Sequence, residues 1–355
     1  MQNAERAEAA VGRRNQRHPY RVREIAQQAG LSEATVDRVL HHRPGVREST
    51  RTEVRQAIAD LDRQADQVRL AGQTFLVDLV MQTPRRFSDA VRAALEAELP
   101  QLRPAVLRAR FHLKEEGDPA DVVATLERIR RRGSHGILLK APDHPLVAHA
   151  VDELAAAGVP TVTLVTDVPD SRRVAYVGID NRAAGATAAY LITATSGPDP
   201  GSVLLSLSSS TFHGEGEREA GFRQAMTELA PGRGLVEVTE TDGLHRTTLA
   251  AVAGALIEDP SIDAVYSIGG GNAAILEAFR AAGRAPTSFV AHDLDGDNVT
   301  MLRRRQLTAV LHHDLRSDLQ EAARLILHAR GALPGRPWSR TSQIQVITPF
   351  NEPAR

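Results

Sequence analysis

The chain has 355 residues, of which 42% are hydrophobic and 25% charged, and its formal net charge is −1. This length predicts two or three domains with sizeable cores. The absence of cysteine excludes a disulfide framework and cysteine-based zinc sites, and it is consistent with a cytoplasmic protein. No apolar run is long enough to span a membrane.

The small net charge conceals an asymmetry along the chain. Residues 1–72 contain 13 arginines and 10 acidic residues, whereas the rest of the chain contains 30 basic and 34 acidic residues. A basic segment ahead of a mildly acidic one is typical of a domain that meets phosphates. Residues 1–19 have no apolar run, so we expect a disordered basic tail there rather than a signal peptide.

The stretch 22–40, VREIAQQAGLSEATVDRVL, predicts two short helices joined by a tight turn. Apolar residues recur at helical spacing in each half, and Gly30 permits the sharp turn between them. Ser32 is placed to cap the second helix. The pattern is typical of a helix-turn-helix, whose second helix enters the DNA major groove. A plain helical hairpin is the alternative interpretation of this stretch.

A third helix is predicted to begin at Thr50, which together with Glu53 fits a capping box. Its apolar stripe would close a three-helix domain over residues 20–61. The following segment, 62–73, is poor in apolar residues, so we expect a hinge there, either as a linker or as a short helix that forms only in company.

Residues 74–355 alternate β-rich apolar runs with amphipathic helices. Five strands are predicted before residue 180 and five after it, and a last extended segment is predicted over Gln343–Ile347. Strict alternation of strands and helices predicts parallel sheets covered on both faces. Two successive series predict two doubly wound α/β lobes with a ligand between them, at the carboxyl ends of the strands.

Two resemblances cover nearly the whole chain beyond residue 19. Residues 20–72 resemble the DNA-binding head of the LacI-type repressor family through EIAQQAGLSEATVDRVL, GVRESTRTEVRQAI and VRLAG, in the order helix, helix, loop, helix and hinge. Residues 74–355 resemble that family's effector domain through GILLKAPD, VGIDNRAAG, EREAGFRQAM, AHDLD and LTAVLHHD. The resemblance implies an α/β protein in which an all-α helix-turn-helix head precedes two lobes of the type I periplasmic-binding-protein fold.

The recognition helix carries the side chains that the resemblance implies for base reading. Arg38 is chemically suited to guanine, because a guanidinium can pair with that base through two hydrogen bonds. Asp37 departs from the serine common in the family, and its charge would repel phosphate unless it pairs with Arg38 or Arg43. The residues assigned to DNA on the recognition helix are Ser32, Glu33, Ala34, Thr35 and Arg38.

Leu70 and Ala71 match the hinge of the family, where a leucine wedges into the minor groove and bends the duplex. A lone leucine in a linker is the alternative interpretation.

The resemblance also implies which side chains contact the effector. Arg218 matches an arginine that contacts effectors in the family, and its fork of donors suits sugar hydroxyls or a carboxylate. Lys140 ends a predicted strand at the expected cleft, although a surface salt bridge would also explain it. The aromatic rings of the set could stack on a sugar or belong to the core. The complete set is Phe87, Lys140, Asp180, Asn181, Phe212, Arg218, Asn272, Asp293 and His312.

Three motifs point toward other chemistry. The loop GGGNAA at 269–274 satisfies G-x-G-x-x-A and would suggest a dinucleotide-binding enzyme, but it lies late in the chain; we expect its glycines to bring the backbone close to a small ligand. The acidic run that begins at Asp293 imitates a calcium loop but has Asn298 at its sixth position and Arg304 at its twelfth, so an EF-hand is rejected. Residues 312–314, His-His-Asp, would make a poor chelate because neighbours on a strand point to opposite faces.

We therefore expect a homodimeric repressor that binds double-stranded operator DNA and is released from it by a small ligand, a sugar or polyol. No catalytic residue, cofactor, metal or membrane partner is expected. The alternatives are a Rossmann-like small-molecule enzyme and a plain sugar-binding protein.

Overall fold

The computed structural model of the protein describes residues 19–70, 72–102, 105–333 and 337–353. The tail expected over residues 1–19 lies outside these residues except for Pro19. The chain divides into two compact units, Met1–Ala71 and Gly72–Arg355. Every described helix is too short or too polar to cross a bilayer.

The described part of the first unit, residues 19–70, contains three helices around one small core. Gly30 takes the left-handed conformation, with φ of 67°, and so turns the chain sharply between the first two helices. The Ser32 hydroxyl then accepts a hydrogen bond from the Thr35 amide over 3.2 Å and caps the second helix. The core consists of Ile25, Ala26, Val36, Val39, Val54 and Ala57. The helices are α1 (Val22–Ala29), α2 (Glu33–Leu40) and α3 (Glu48–Leu70).

Helix α3 differs from the sequence prediction at both ends. It begins two residues before Thr50, so the predicted capping box does not start it. It also continues through residues 62–70, which contain neither glycine nor proline and are mostly good helix formers. The backbone of the segment expected as a linker is therefore helical as far as Leu70.

The N-lobe of the second unit is a six-stranded parallel sheet with helices on both faces. Its strand order is β11-β5-β4-β3-β1-β2. The strands are β1 (Thr74–Gln82), β2 (Val106–Lys114), β3 (Gly136–Lys140), β4 (Thr161–Leu164), β5 (Ala175–Ile179) and β11 (Arg340–Ser342). The helices are α4 (Arg85–Glu98), α5 (Pro119–Arg132), α6 (Pro145–Ala156) and α12 (Leu315–Ala329), with a 3₁₀ turn at Leu99–Leu102.

The C-lobe is a second six-stranded sheet, ordered β12-β10-β9-β8-β6-β7, in which only β12 runs antiparallel to its neighbour. The strands are β6 (Val203–Ser206), β7 (Leu235–Val238), β8 (Ala264–Ser267), β9 (Ser288–His292), β10 (Ala309–His312) and β12 (Gln345–Ile347). The helices are α7 (Asn181–Thr195), α8 (His213–Leu229), α9 (His245–Glu258), α10 (Asn272–Ala281) and α11 (Gly296–Arg303). The predicted fold class, two parallel-sheet lobes after a helical head, is confirmed.

Within the described residues of the second unit, the chain crosses between the lobes after β5, after β10 and between β11 and β12. Helix α12 follows the second crossing and packs on the N-lobe sheet, where the Ile326 side chain fills the space that a Cβ on Gly136 would occupy. The extended segment predicted over Gln343–Ile347 thus corresponds to β12 alone. Strand β11 adds three residues to the N-lobe sheet. It was not predicted, because its Arg-Thr-Ser sequence has no apolar residue.

Candidate functional site

A cavity that is partly open to solvent lies between the two lobes at the carboxyl ends of their strands. Gln82 and Lys140 close β1 and β3 on the N-lobe side, and His292 closes β9 on the C-lobe side. This is where ligands bind in open α/β sheets, because the strand ends and the following loops leave a crevice there.

Several polar atoms of the cavity wall are buried and lack a hydrogen-bond partner. They are Gln82 Oε1, Asn272 Oδ1 and Asp293 Oδ1, together with His292 Nδ1. The first three can only accept hydrogen bonds. His313 Nε2 lies 3.7 Å from Asp293 Oδ1, beyond hydrogen-bond distance. A buried acceptor without a donor is costly, so a ligand whose hydroxyl groups reached these atoms after a small side-chain shift would be bound favourably.

The cations of the cavity, in contrast, already have partners. Lys140 Nζ donates to the Gln82 carbonyl over 3.2 Å and lies 4.2 Å from the centre of the Phe212 ring. Arg218 donates to Asn181 Oδ1 over 2.8 Å and to the Ile268 carbonyl over 3.3 Å. An added anion would have to compete with these contacts.

Burial shifts the pKa of two ionisable groups in the wall. It lowers the pKa of Lys140 to about 8, although the Coulomb attraction of Glu215 and Asp293 opposes the shift. It also raises the pKa of Glu215, and hydrogen bonds from Ser208 partly compensate. The Ser208 amide donates to Glu215 Oε2 over 2.7 Å.

Six of the nine side chains proposed for the effector line this cavity, and three do not. The carboxylate of Asp180 accepts from the Ala183 amide over 2.9 Å and caps α7. Asn181 is buried behind the wall, where it holds Arg218. A nitrogen of the His312 ring accepts from the Leu294 amide over 3.3 Å, and burial lowers its pKa. The six that line the cavity are Phe87, Lys140, Phe212, Arg218, Asn272 and Asp293.

Sequence reasoning missed other wall residues that follow the same rule. Gln82 and His292 are the last residues of β1 and β9, so their position after a strand is the signal that predicts them. Arg86, Asp295 and Asn298 also line the wall from helix starts, and the sequence carries no comparable signal for them.

The glycine loop 269–271 is shaped mainly by its own neighbours. A Cβ on Gly269 would lie 2.0 Å from the Ser208 nitrogen, and one on Gly271 would lie 2.6 Å from the Thr248 hydroxyl oxygen. Gly270 and Gly271 both have positive φ, of 92° and 79°. Gly269 and Gly270 also line the cavity, so the loop brings backbone to its wall.

In the first unit, α2 exposes one face and buries the other. Val36 and Val39 pack into the core, whereas Glu33, Ala34 and Arg38 are exposed. Arg38 Nη2 donates to the Pro44 carbonyl over 3.2 Å. Its guanidinium therefore lies beside the loop that follows α2.

Asp37 forms one of the two pairs that its charge was expected to need. Its carboxylate lies 3.2 Å from Arg43 Nη1 and 3.0 Å from His41 Nδ1. The Arg43 pairing leaves the carboxylate partly neutralised beside the exposed face of α2. Ala71 lies outside the described residues, as does the side chain of Leu70.

Comparison with known families gives two matches. Residues 21–63 match the model for bacterial regulatory proteins of the lacI family. Residues 79–330, more than half of the chain, match a periplasmic binding protein domain. Curated proteins give no match to the chain.

Many solved structures share the fold of the second unit. GanP, a glucose-galactose binding protein from Geobacillus stearothermophilus, is 19% identical with a TM-score of 0.70, over 79% of this chain and 100% of its own. A carbohydrate transporter from Acidothermus cellulolyticus in complex with myo-inositol is 18% identical with a TM-score of 0.67, over 79% and 95%. A protein described as a LacI transcriptional regulator from Bacteroides fragilis is 17% identical with a TM-score of 0.67, over 79% and 98%. At these identities the likeness shows the fold.

A helix-turn-helix unit joined to a two-lobed ligand-binding unit defines a DNA-binding regulator controlled by a small ligand. With both parts matched in sequence, the chain belongs to the LacI-type repressor family. The resemblance predicted from the sequence is confirmed.

Proposed function

We propose that the effector is an uncharged sugar or polyol that binds between the lobes and releases the protein from its operator. The unpartnered acceptors in the cavity wall carry this proposal. Gln82 Oε1, Asn272 Oδ1 and Asp293 Oδ1 need donors, and hydroxyl groups supply them. The engaged state of Lys140 and Arg218 favours an uncharged ligand over a phosphate or a carboxylate.

The proposed contacts follow from the position of each side chain. Asn272 and Asp293 would accept from hydroxyl groups on the C-lobe side, and Gln82 would accept from the N-lobe side. Phe87 would offer an apolar surface to one face of the ligand. Phe212 has Lys140 over its ring, so one of its faces is already covered.

We propose that the protein acts as a homodimer on DNA. One helix-turn-helix reads few base pairs, and two-fold dimers gain specificity by reading two half-sites of a pseudo-palindrome. The exposed side chains of Glu33, Ala34 and Arg38 would contact base edges, while Ser32 and Thr35 at the start of α2 would approach phosphate. This role is binding rather than catalysis.

A thermal-shift panel tests the effector class. Hexoses, pentoses and cyclitols are compared with the phosphates and acids of the same sugars, since any ligand of the native state raises the melting temperature. We expect shifts from uncharged members alone. A shift from phosphates or acids only would contradict the proposal.

A second measurement tests the link to DNA. The ligand found in the panel is added to the full chain bound to labelled DNA from upstream of its own gene, and fluorescence anisotropy is followed. We expect the anisotropy to fall. A rise would mean that the ligand acts as a co-repressor, and no change would remove the regulatory role of the cavity.

A further inference from the structure

The side chain of Arg86 extends from the N-lobe across the cavity to the C-lobe. It belongs to the first turn of α4, and its Nη1 donates to the Gly243 carbonyl over 3.1 Å. Its Nε lies 3.3 Å from Asp295 Oδ2. The side chain of Asp295 is only 8% exposed and that of Arg86 only 31%, so water screens this pair less than an ordinary surface pair.

Two glycines of the C-lobe, Gly270 and Gly243, lie close to the Arg86 guanidinium. Gly270 has φ of 92°, and a Cβ there would lie 2.3 Å from Arg86 Nη2. Gly243 has φ of 64°, and a Cβ there would lie 3.5 Å from the same nitrogen. The guanidinium therefore contacts the C-lobe at Gly270, where a side chain would displace it, and lies within ordinary van der Waals distance of Gly243.

Asp295 is held in place by bonds that also reach the cavity wall. Its carboxylate accepts from the Asn298 amide over 2.8 Å and caps α11. The Asn298 side chain in turn donates to the Asp293 carbonyl over 2.6 Å and accepts from Asn272 Nδ2 over 2.7 Å. The partner of Arg86 is therefore connected to two residues proposed to bind the effector.

We propose that Arg86 is a latch between the lobes. It is a positioning residue whose bonds to Asp295 and Gly243, over the bare surface of Gly270, hold the two lobes together at the mouth of the cavity. The latch is a property of the protein without ligand. Only its consequence for ligand choice rests on the proposed function. A ligand bearing a carboxylate or phosphate would compete with Asp295 for Arg86 and weaken the closed state, whereas an uncharged ligand would not.

The absence of native cysteine makes the distance between the lobes directly measurable. Ala124→Cys on α5 and Ala285→Cys after α10 introduce exposed labelling positions, one on each lobe, for single-molecule energy transfer in the full chain without ligand. We expect one short-distance population in the parent. Arg86→Ala should lower the closed-to-open ratio roughly tenfold, as expected for the loss of a charge-assisted hydrogen bond.

Arg85→Ala is the matched control. Arg85 precedes Arg86 on the same helix, its side chain is exposed, and its ion pair is with Asp89 of the same helix. It should leave the distance distribution unchanged. An Arg86→Ala distribution identical to that of the parent overturns the latch, whatever the sugar panel shows.

Two further variants keep the test valid if Arg86→Ala destabilises its helix. Asp295→Asn retains an oxygen that can cap α11 but loses the charge, and it should open the lobes as Arg86→Ala does. Gly270→Ala strains its own backbone in either background because φ there is 92°, but it should open the lobes further when Arg86 is present than when residue 86 is alanine, because only Arg86 adds a clash. Equal effects of Gly270→Ala in both backgrounds would mean that local backbone strain, not the latch, is responsible.

Discussion

Arg218 Nε donates a hydrogen bond to Asn181 Oδ1 over 2.8 Å, and both residues are at most 9% exposed. Arg218 lines the cavity from α8, while Asn181 is the first residue of α7, directly after the first crossing between the lobes. The pair therefore connects the cavity wall to a segment that must move if the lobes open.

Replacing this arginine tests both its structural and its ligand-binding role. Arg218→Ala leaves Asn181 Oδ1 and the Ile268 carbonyl without their donor, so the free energy of unfolding in urea should fall by about 1–3 kcal/mol. Arg218→Ala should also abolish the thermal shift by the effector and spare operator binding. Arg223→Ala, on the more exposed side of the same helix, should cost less than about 1 kcal/mol. If Arg218→Ala changes neither the free energy of unfolding nor the affinity for the effector, Arg218 has neither of the two roles.

The buried amine of Lys140 predicts a pH dependence of stability. Its pKa falls from 10.5 to about 8 on folding, so between these values the unfolded chain holds a proton that the native protein releases. Stability relative to Lys140→Met should therefore rise from pH 8 to pH 10.5, by up to about 3 kcal/mol, and should be constant below pH 8. Urea unfolding of the parent and of Lys140→Met at several pH values measures the difference in the free energy of unfolding. Tyrosine side chains also titrate at high pH, but they are the same in both proteins, so their contribution cancels in this difference. A difference independent of pH would show that Lys140 titrates normally.

The exposed guanidinium of Arg38 predicts a base-specific contribution. Arg38→Ala should weaken operator binding by roughly 1–3 kcal/mol and relax the choice at one base pair per half-site. To contact a base, Arg38 must first give up its hydrogen bond to the Pro44 carbonyl. We therefore expect the loss of operator affinity to lie toward the lower end of that range. Binding to a library of half-site variants measures both quantities. A uniform loss across all sequences would identify Arg38 as a phosphate contact instead.

The hinge predicts a loss confined to specific DNA. If Leu70 wedges into the minor groove, Leu70→Ser should weaken operator binding far more than binding to unrelated DNA, because only the specific complex contains the bent duplex. Leu70→Met, which keeps an apolar side chain, is the matched control. If Leu70→Ser weakens binding to the operator and to unrelated DNA equally, Leu70 does not wedge into the minor groove.

The two binding events should be coupled and reciprocal. Effector titrations into the free protein and into the operator complex should give affinities that differ by the same factor by which the effector changes operator affinity. A coupling of about 1–3 kcal/mol is typical. Identical effector affinities would leave two independent modules on one chain.

Local patterns along the chain determined the classes of element and their order. The Gly30 turn and the Ser32 cap require only nearby residues, so spacing alone predicted α1 and α2. The β/α alternation likewise predicted two parallel sheets, since apolar strands buried on both faces need covering helices. The rule that ligands meet strand ends placed Lys140 at the cavity, and it would have placed Gln82 and His292 there too.

Tertiary structure alone decided how polar groups far apart in sequence share their hydrogen bonds. Asp180 follows a strand, and its carboxylate caps the helix that begins at the next residue. Asn181 accepts a hydrogen bond from Arg218, and Arg86 crosses to Asp295, more than two hundred residues away in the chain. A sequence pattern reports which side chains have donors or acceptors, but which of them remain unpaired depends on distances that only the packed lobes define.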